Sequence, residues 1–438
     1  MTGPLRIAFF TGTFPVISET FILRQITGLL DLGHEVDIYS DCAPEAGAPT
    51  HPAFSQYRLR ERTTYMDMPL EIAPWEMPVW PITGRTWPPG SAASIHNSIR
   101  AARALPKFLR CLARAPRLSV QVLRRSEYRY QAVSLSALYR LAKLCAARKS
   151  YDVLHAHFGP VANSFRFAKK LWNAPLVVSF HGYDFCTAPR KEGADMYAKL
   201  FQMVDAVTVN SDFTAARLRE LGCPASRLHK LPVGVDLNEF PFRERTAKPG
   251  EPIRFLTVAR LVKIKGCEFS IRAFAKLRQK HPNAHYDIVG DGPLRSELEK
   301  LARELGLADG ITFHGARDST QVQTHMAQSH IFVLASVSVE GDQEGQGLAL
   351  QEAQATGLPV VATTHGAFPE GIISGKSGFL VPEANVEVLA ERLTFLAEHP
   401  ELWPEMGRQG RVFVEQQFDI RQLNRQLVAL YQTLDSAG

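Results

Sequence analysis

The fold of this 438-residue chain is decided at residues 344–352, Glu344-Gly345-Gln346-Gly347-Leu348-Ala349-Leu350-Gln351-Glu352. This stretch holds two carboxylates with seven residues between them; glycines follow the first, and a helix-forming run carries the second. An apolar run at 332–336 precedes the stretch and another at 360–363 follows it, which is typical of buried strands. The pattern predicts a strand–loop–helix–strand unit of a parallel α/β sheet.

The predicted helix start at Leu348 suits a diphosphate, because its first amide N–H groups have no helical partner and the helix dipole is positive there. Gly345 and Gly347 would let the backbone approach a ligand closely. A carboxylate can accept hydrogen bonds from two neighbouring hydroxyls. The alternative is a solvated helix with two ordinary glutamates, which the spacing alone would favour. The glycines, the flanking strands and a later Pro369-Glu370 favour ligand binding.

Two cations lie in an earlier loop of the same half of the chain. Arg260 and Lys265 come after a predicted strand and before the predicted helix 268–280. A guanidinium fork and a lysine ammonium at such a place could neutralise a diphosphate leaving group. A solvated basic loop would be the commoner explanation if it stood alone, but its combination with residues 344–352 favours phosphate binding.

These motifs, closed by Gly366-Ala367-Phe368-Pro369-Glu370, resemble the donor-binding signature of the retaining GT-B glycosyltransferases of family 4. The resemblance covers most of the chain and is weakest over residues 60–140. Phe14-Pro15, followed by Ser18-Glu19-Thr20-Phe21, is similar to the branch of the family tied to exopolysaccharide and colanic acid assembly.

The resemblance implies two Rossmann-like domains that face a cleft, with a C-terminal helix that crosses back to the first domain. It places an acceptor domain at 1–240, joined by the helix 415–438, and a nucleotide-sugar donor domain at 241–414. The start of the chain independently favours this α/β class, because a predicted strand at 6–10 is followed by a helix and a second strand. Such a start makes a parallel, doubly wound sheet the default.

The resemblance also implies the site residues. Glu344 would bind hydroxyls of the donor sugar and Glu352 the ribose, Arg260 and Lys265 would hold the diphosphate, and His181 would support the transition state. The implied catalytic residues are His181, Arg260, Lys265 and Glu344. The implied donor-binding residues are Gly12, Arg260, Lys265, Glu344, Gly345, Gln346, Gly347, Leu348 and Glu352.

Some of these residues have simpler explanations. A lone histidine is more often structural, although the position of His181 at the end of a predicted strand favours function. Asp184 either accepts a hydrogen bond from the acceptor or caps a turn. Gly12 stands where many relatives have two adjacent glycines. Gln346 replaces an aromatic residue that is common between the two glycines of the motif, which would alter the choice of donor.

We expect no metal and no other cofactor. The sequence has no Asp-x-Asp pair, which is the metal–diphosphate device of the other large glycosyltransferase fold. Arg260, Lys265 and the helix dipole can replace a divalent cation. The six cysteines are scattered without close pairs, which argues against a zinc site or a disulfide framework.

Basic residues are concentrated in 100–149, which hold thirteen Lys or Arg and one acid, Glu127; this segment carries +12 and the rest of the chain −6, out of +6 in total. Apolar spacings of three and four within 95–126 predict an amphipathic helix broken near Pro106 and Pro116. Such an element fits an anionic membrane surface. The alternative is a solvated helix packed on the sheet. We expect no nucleic acid partner, because no interleaved stacking aromatics accompany the charges.

The segment 69–89 differs from the rest of the chain, with six prolines and three of the five tryptophans. Such a proline density predicts irregular structure. An irregular segment near the acceptor face and an ordinary surface loop explain this composition equally well.

The expected reaction is retaining transfer of a sugar from a nucleotide-diphosphate sugar, for example a UDP-sugar, to a hydroxyl of a lipid-linked glycan or glycolipid in surface polysaccharide synthesis. No apolar run is long enough for a transmembrane helix and no signal peptide precedes the first strand, so we expect a cytoplasmic protein at the inner face of the plasma membrane. Two other classes stay open. They are another GT-B enzyme, such as a nucleotide-sugar epimerase or a phosphorylase, and a non-catalytic glycan- or membrane-binding module.

Overall fold

The computed structural model describes residues 3–16, 19–45, 47–48, 50–66, 93–147, 149–248 and 250–435. They form two α/β domains, each built on one sheet of parallel strands. The predicted fold of two Rossmann-like domains is therefore confirmed. The proline- and tryptophan-rich segment 69–89 lies outside the described residues.

The first sheet has seven strands in the order β3-β2-β1-β4-β5-β6-β7. They are β1 (Arg6–Thr13), β2 (Glu35–Cys42), β3 (Thr63–Tyr65), β4 (Val153–His157), β5 (Leu176–Phe180), β6 (Ala206–Val209) and β7 (Leu228–Lys230). Every residue of β4, β5 and β6 is buried. Parallel strands covered on both faces need nearly continuous apolar sequences, which is why the central strands were predictable.

Helices of the first domain connect these strands and cover the sheet. They are α1 (Thr20–Asp31), α2 (Pro52–Gln56), α3 (Leu59–Arg62), α4 (Ala93–Arg114), α5 (Pro116–Gln121), α6 (Arg125–Tyr128), α7 (Tyr130–Val133), α8 (Ser136–Ala147), α9 (Gly159–Phe165), α10 (Phe167–Trp172), α11 (Thr187–Glu192), α12 (Ala198–Met203) and α13 (Asp212–Glu220). In α1, Ile22, Ile26 and Leu29 repeat at helical spacing and are buried in the core, so one face of the helix packs on the sheet.

The second sheet has six strands in the order β10-β9-β8-β11-β12-β13. They are β8 (Arg254–Val258), β9 (His285–Val289), β10 (Ile311–Gly315), β11 (Ile331–Leu334), β12 (Val360–Thr363) and β13 (Gly378–Val381). The helices are α14 (Cys267–Lys280), α15 (Arg295–Glu304), α16 (Ser319–Gln328), α17 (Leu348–Ala355), α18 (Val386–Glu398), α19 (Trp403–Gln417) and α20 (Ile420–Asp435). Successive residues of β8, Phe255 and Leu256, belong to separate apolar clusters, so both faces of this sheet are covered.

The C-terminal crossing helix is confirmed, but its start is later than the predicted 415. Residues 415–417 still belong to α19, whose Trp403 and Met406 lie in the core of the second domain. The chain then pairs with the linker between the domains: Val235 donates its N–H to Phe418 and accepts one from Ile420. The separate helix α20 buries Leu427 and Tyr431 in the core of the first domain.

The basic segment differs from its prediction at Pro106. The helix α4 continues through this proline, and the break occurs at Ala115, before Pro116. Pro116 occupies the first turn of α5, where its missing N–H costs nothing. Ala104 and Cys111 are buried on either side of Pro106, so packing of one face outweighs the single hydrogen bond that the proline removes.

Candidate active site

The topology of both sheets brings the candidate residues to one cleft. All strands are parallel, but the order in which the chain adds them reverses at one point of each sheet. This point lies between β1 and β4 in the first sheet and between β8 and β11 in the second. In doubly wound sheets, ligands bind at this switch point, beyond the carboxyl ends of the strands. Lys265 follows β8 and Glu344 follows β11, whereas His181 follows β5. The predicted residues of the two domains therefore lie at facing edges.

Lys265 and Glu344 form an ion pair at the centre of the candidate site. The Nζ atom of Lys265 lies 2.7 Å from Oε1 of Glu344, and the two side chains are 18% and 15% exposed. Gly266, with φ +59°, directly follows Lys265, and a Cβ there would clash with the carbonyl oxygen of Ala335. Only glycine fits this turn, which places Lys265 beside Glu344. The ammonium has three N–H donors, so two stay available for another anion.

Arg260 follows β8 at the same edge of the sheet as Lys265. Its side chain is exposed, and no residue that the structure describes forms an ion pair with it. The two predicted diphosphate-binding cations therefore differ in their ion pairing. Lys265 is fixed by an acid, whereas Arg260 can move toward a bound anion.

The backbone of Glu344 is held by residues that follow β12. Its N–H donates to Nε2 of His365 at 3.1 Å, and Nδ1 of that buried ring lies 2.7 Å from Glu383. The carbonyl oxygen of Glu344 accepts the N–H of Ala367 at 3.0 Å. A Cβ at Gly366 would clash with the same carbonyl oxygen. The segment 366–370, which closed the sequence motif, thus fixes the position of Glu344.

Glu352 lies on α17 and contacts the first domain. Its Oε1 atom is 3.5 Å from Nη1 of Arg24 on α1, whose Nη2 is 2.5 Å from Glu239. Burial raises the pKa of Glu352 to about 7; Arg24 opposes this shift, and Glu239 adds to it. Glu352 is therefore a carboxyl whose charge changes near neutral pH, at the position implied for ribose binding.

His181 lies in a group of stacked rings at the carboxyl ends of β4 and β5. Its Nε2 is 3.0 Å from Nδ1 of His157, and the two rings are stacked 5.3 Å apart. Phe21 and Phe158 pack against the His181 ring at 4.7 and 4.8 Å. Burial lowers the pKa of His181 to about 3, so the imidazole is neutral at physiological pH.

Asp184 caps a turn, which was one of its two predicted roles. The buried carboxylate accepts the N–H groups of His181, Gly182 and Gly159 at 3.0, 2.9 and 3.2 Å. Burial raises the pKa of Asp184 to about 6, and these backbone hydrogen bonds oppose the shift. Asp184 therefore fixes the backbone of His181, and the structure gives it no place facing a ligand.

Gly345 and Gly347 were predicted to leave space for a ligand, but in the structure protein atoms lie against both of them. A Cβ at Gly345 would lie 2.5 Å from the carbonyl oxygen of His181, and one at Gly347 would lie 2.7 Å from Leu350. The side chain of Gln346 exchanges two hydrogen bonds of 2.8 Å with the backbone of Val233. Gly345 and Gln346 therefore contact the first domain and the segment that follows β7, whereas Gly347 packs within the second domain. Leu348 is the first residue of α17.

Gly12 lies within β1 and is buried, because this strand extends to Thr13 and not only to Phe10 as predicted. Its carbonyl oxygen accepts the hydroxyl of Ser40 at 3.2 Å. Gly12 is still at the carboxyl end of β1, which is the switch point of the first sheet. Ser18, the first residue of the run Ser18-Glu19-Thr20-Phe21, lies outside the described residues.

Comparisons with known proteins agree with this geometry. A model of the glycosyl transferase 4-like domain matches residues 18–234, and the model of glycosyl transferases group 1 matches 238–413. WcaL of Salmonella typhimurium, a glycosyltransferase named for colanic acid biosynthesis, is 32% identical over 98% of this chain and 100% of its own. The amylovoran biosynthesis glycosyltransferase AmsK of Erwinia amylovora is 30% identical over the same shares.

The chain belongs to the group 1, family 4 glycosyltransferases. The crystal structure of HepE from Anabaena with UDP and glucose is similar to it with a TM-score of 0.67, at 16% identity over 98% of this chain and 100% of HepE. This likeness supports the GT-B fold. Family membership favours the predicted glycosyltransferase over an epimerase, a phosphorylase or a non-catalytic module.

Sequence reasoning missed three contacts of this glycosyltransferase, two of which join its domains. Arg24 pairs with Glu352, His157 contacts His181, and Glu370 accepts the N–H groups that start α13. Periodicity assigned Arg24 to a helix and His157 to a buried strand, and neither pattern tells which side chains meet across a cleft. For Glu370, its position in the segment 366–370 that closes the motif was a signal of importance. That position did not show that Glu370 binds the N–H groups at the start of α13.

One group of possible metal ligands occurs among the described residues, at Asp287, His314 and His325. Nε2 of His314 forms a hydrogen bond of 2.7 Å with Oδ1 of Asp287. Arg254 also contacts Asp287, so the carboxylate already has a cationic partner. None of these residues belongs to the predicted site of the glycosyltransferase. Metal independence of the reaction stays a prediction.

Proposed function

We propose that this glycosyltransferase moves a sugar from a nucleotide-diphosphate sugar to a hydroxyl of a lipid-linked glycan or glycolipid, with retention and without a metal, in surface polysaccharide synthesis. The observation that carries the proposal is the Lys265–Glu344 pair, set between the carboxyl ends of two switch-point strands. The names of WcaL and AmsK, which refer to colanic acid and amylovoran, support the polysaccharide role.

The donor diphosphate would lie against Arg260, Lys265 and the start of α17. Lys265 and Arg260 together supply the charge that neutralises the leaving phosphate. Glu344 would accept hydroxyls of the sugar, held at a fixed distance because its backbone is bonded on both sides. Glu352 would accept ribose hydroxyls with the oxygen that Arg24 leaves free.

The proposed chemistry is front-side displacement. The bond from the anomeric carbon to the phosphate oxygen breaks, and the acceptor oxygen bonds to the same face of that carbon. The proton of the acceptor hydroxyl passes to the departing phosphate. His181, neutral because burial lowers its pKa to about 3, would support the sugar in the transition state as a dipole. Its backbone is fixed by Asp184, which limits its movement.

The acceptor would reach the cleft from a membrane surface. Of the large apolar side chains that the structure shows exposed, most lie between 105 and 133: Leu105, Leu109, Leu112, Val120, Leu123, Tyr130 and Val133. Exposed arginines accompany them at Arg103, Arg110, Arg114, Arg117, Arg124, Arg125 and Arg129. We name these two sets the docking surface. Each arginine near an anionic membrane contributes about 1 kcal/mol.

Not every cation of the segment 100–149 belongs to the docking surface. Arg140 is buried, and its Nε lies 2.7 Å from Asp41. Lys149 pairs with Asp37 at 2.7 Å. No described helix is long and apolar enough to cross a membrane. Peripheral association with the inner face of the plasma membrane is the proposal that the exposed leucines and arginines support.

Transfer of label tests the proposed function. The enzyme is incubated with radiolabelled UDP-, GDP- and ADP-sugars and with vesicles that contain membrane lipids of the source organism. The proposal predicts label in the lipid extract with at least one donor, also in the presence of EDTA. Release of free sugar or of an epimerised nucleotide sugar, with no label in lipid, would contradict it.

A further inference from the structure

A pocket of about 640 Å³ opens in the first domain beside the cleft. Its walls come from residues 126–131, from α9 and from the segment 191–199. Tyr183, two residues after His181, also lines it. Since α9 follows β4 and Tyr183 follows β5, the pocket lies at the same edge of the sheet as His181.

Two amide side chains in the lining have buried oxygens that lack hydrogen-bond partners among the described residues, Gln131 Oε1 and Asn163 Oδ1. Nδ2 of Asn163 donates to the carbonyl oxygen of Met196 at 3.0 Å, which fixes the orientation of that amide. Nε2 of Gln131 donates to the hydroxyl of Ser164 at 3.1 Å. A buried acceptor without a donor is unfavourable, so a small movement that opens either oxygen to the pocket would let a ligand hydroxyl satisfy it.

The rest of the lining fits a neutral ligand. Three tyrosines, Tyr128, Tyr130 and Tyr183, supply aromatic surface together with phenolic hydroxyls. The four basic residues of the lining are nearly balanced by three acids. Arg129 pairs with Asp195 at 2.6 Å and Lys199 with Glu127 at 3.1 Å, which leaves little free positive charge for a phosphate. Aromatic rings with amide acceptors suit a saccharide.

The pocket connects the docking surface with the cleft. Tyr130 lines the pocket and is also one of the exposed apolar residues of the docking surface. At the other end, Tyr183 adjoins the turn that Asp184 caps beside His181. A glycan attached to a lipid in the membrane would therefore pass this pocket before its terminal hydroxyl reaches His181.

We propose that this pocket is a saccharide subsite that binds inner sugar residues of the acceptor, between its lipid and the hydroxyl that reacts. Gln131 and Asn163 accept hydrogen bonds from hydroxyls of the bound sugar, and the tyrosines cover its apolar face. This inference rests on the proposed function, because it gives the acceptor of that reaction its chemical class. It adds that the enzyme recognises the glycan of the acceptor as well as its lipid.

The test compares Gln131→Leu and Asn163→Leu, prepared separately, with the control Gln279→Leu, whose side chain is exposed on α14 of the other domain. The probe is the butanol-extracted glycolipid fraction of the source organism, incorporated in vesicles and titrated against the radiolabelled donor that supports transfer. We expect about tenfold higher KM for this fraction in each pocket variant, with the Kd for the nucleotide diphosphate and the binding to vesicles unchanged. The control should behave as the unmodified enzyme does.

Thermal unfolding shows which variants are folded, and one folded pocket variant suffices. An unchanged KM for the glycolipid fraction in that variant, with normal transfer by the unmodified enzyme, would overturn the subsite and leave the proposed function intact. No transfer by the unmodified enzyme would overturn the proposed function, and the acceptor role of the pocket with it.

Discussion

At the scale of single residues, the Lys265–Glu344 pair is the part of the proposed site that the diphosphate of a donor would meet. A diphosphate that enters the site meets an ammonium already neutralised in part by a carboxylate 2.7 Å away. The same pairing holds the ammonium in one place before the donor arrives. Lys265 therefore combines a fixed position with two N–H donors to spare, which favours stabilisation of charge that develops on the leaving phosphate.

We predict that Lys265→Ala lowers turnover about 100-fold or more, because loss of one pre-positioned charge has an effect of this order. Initial rates of transfer, measured with saturating donor, check this. The matched control is Lys263→Ala, since Lys263 is an exposed lysine of the same short turn. Equal rates for the Lys265 variant and the control would remove Lys265 from the mechanism.

If Glu352 binds the ribose as proposed, its raised pKa gives donor binding a pH dependence. Burial raises this pKa to about 7, so the carboxylate form that accepts two ribose hydroxyls predominates only above pH 7. We predict that nucleotide affinity increases from pH 6 to 8, by at most tenfold per pH unit for one proton. In Glu352→Gln this increase is smaller, because only titration of the phosphate of the nucleotide remains.

Calorimetric Kd values at pH 6, 7 and 8 measure this difference. Glu391→Gln serves as the control, because Glu391 is exposed on α18. The control should keep the full pH dependence. The assignment of Glu352 to the ribose would be wrong if its variant and the unmodified enzyme gave parallel curves.

At the scale of elements, α4 packs by one face and exposes apolar side chains on another. Ala104 and Cys111 are buried, whereas Leu105 and Leu109 are 59% and 56% exposed. A helix that only packs on the sheet has no need of exposed leucines between arginines. The helix thus packs by one face and presents an apolar basic face on another, and docking of that face on a membrane stays a prediction.

We predict that the double variant Leu105→Ser and Leu109→Ser binds anionic vesicles about tenfold more weakly, because each leucine buries roughly half of its side chain in the lipid. Sedimentation with vesicles that contain phosphatidylglycerol measures the partition. Leu402→Ser is the control, since Leu402 is exposed on the second domain. Unchanged partition of the double variant would contradict membrane docking through α4.

The elements that sequence could predict are those with strong local signals. The unit from β11 to β12 was predicted because apolar runs, glycines and a helix pattern follow one another there. The run 415–438 was predicted as one helix, but the chain divides at Phe418 and Asp419, between α19 and α20. The division occurs because Val235 of the linker pairs with residues 418 and 420, a contact between distant parts of the chain that periodicity does not contain.

At the scale of the whole molecule, the loop before α17 joins the two domains. Its contacts with the first domain include hydrogen bonds from Thr187 to Asp342 at 2.7 Å, from Arg217 to Gln343 at 3.1 Å and from Ser211 to the carbonyl oxygen of Gly345 at 2.8 Å. The motif that the sequence assigned to the donor thus also closes the cleft. Local pattern predicted the motif but could not show these contacts, which depend on the partner domain, and donor binding by the motif stays a prediction.

We predict that Gly345→Ala prevents this closure, since its Cβ would lie 2.5 Å from the carbonyl oxygen of His181. The radius of gyration measured by X-ray scattering should increase, and turnover should fall at least tenfold, while circular dichroism keeps the native helix content. A variant with the original radius of gyration and full activity would show that this contact does not hold the domains together.

The central claim is that the second domain binds the diphosphate of a sugar nucleotide with Arg260, Lys265 and the start of α17. Isothermal titration calorimetry with UDP, GDP and ADP tests it most directly. We predict binding of at least one nucleotide at one site per chain, weakened tenfold or more in Arg260→Ala and in Lys265→Ala but not in Lys263→Ala. Absence of binding by all three nucleotides, or equal affinity in all variants, would contradict the claim.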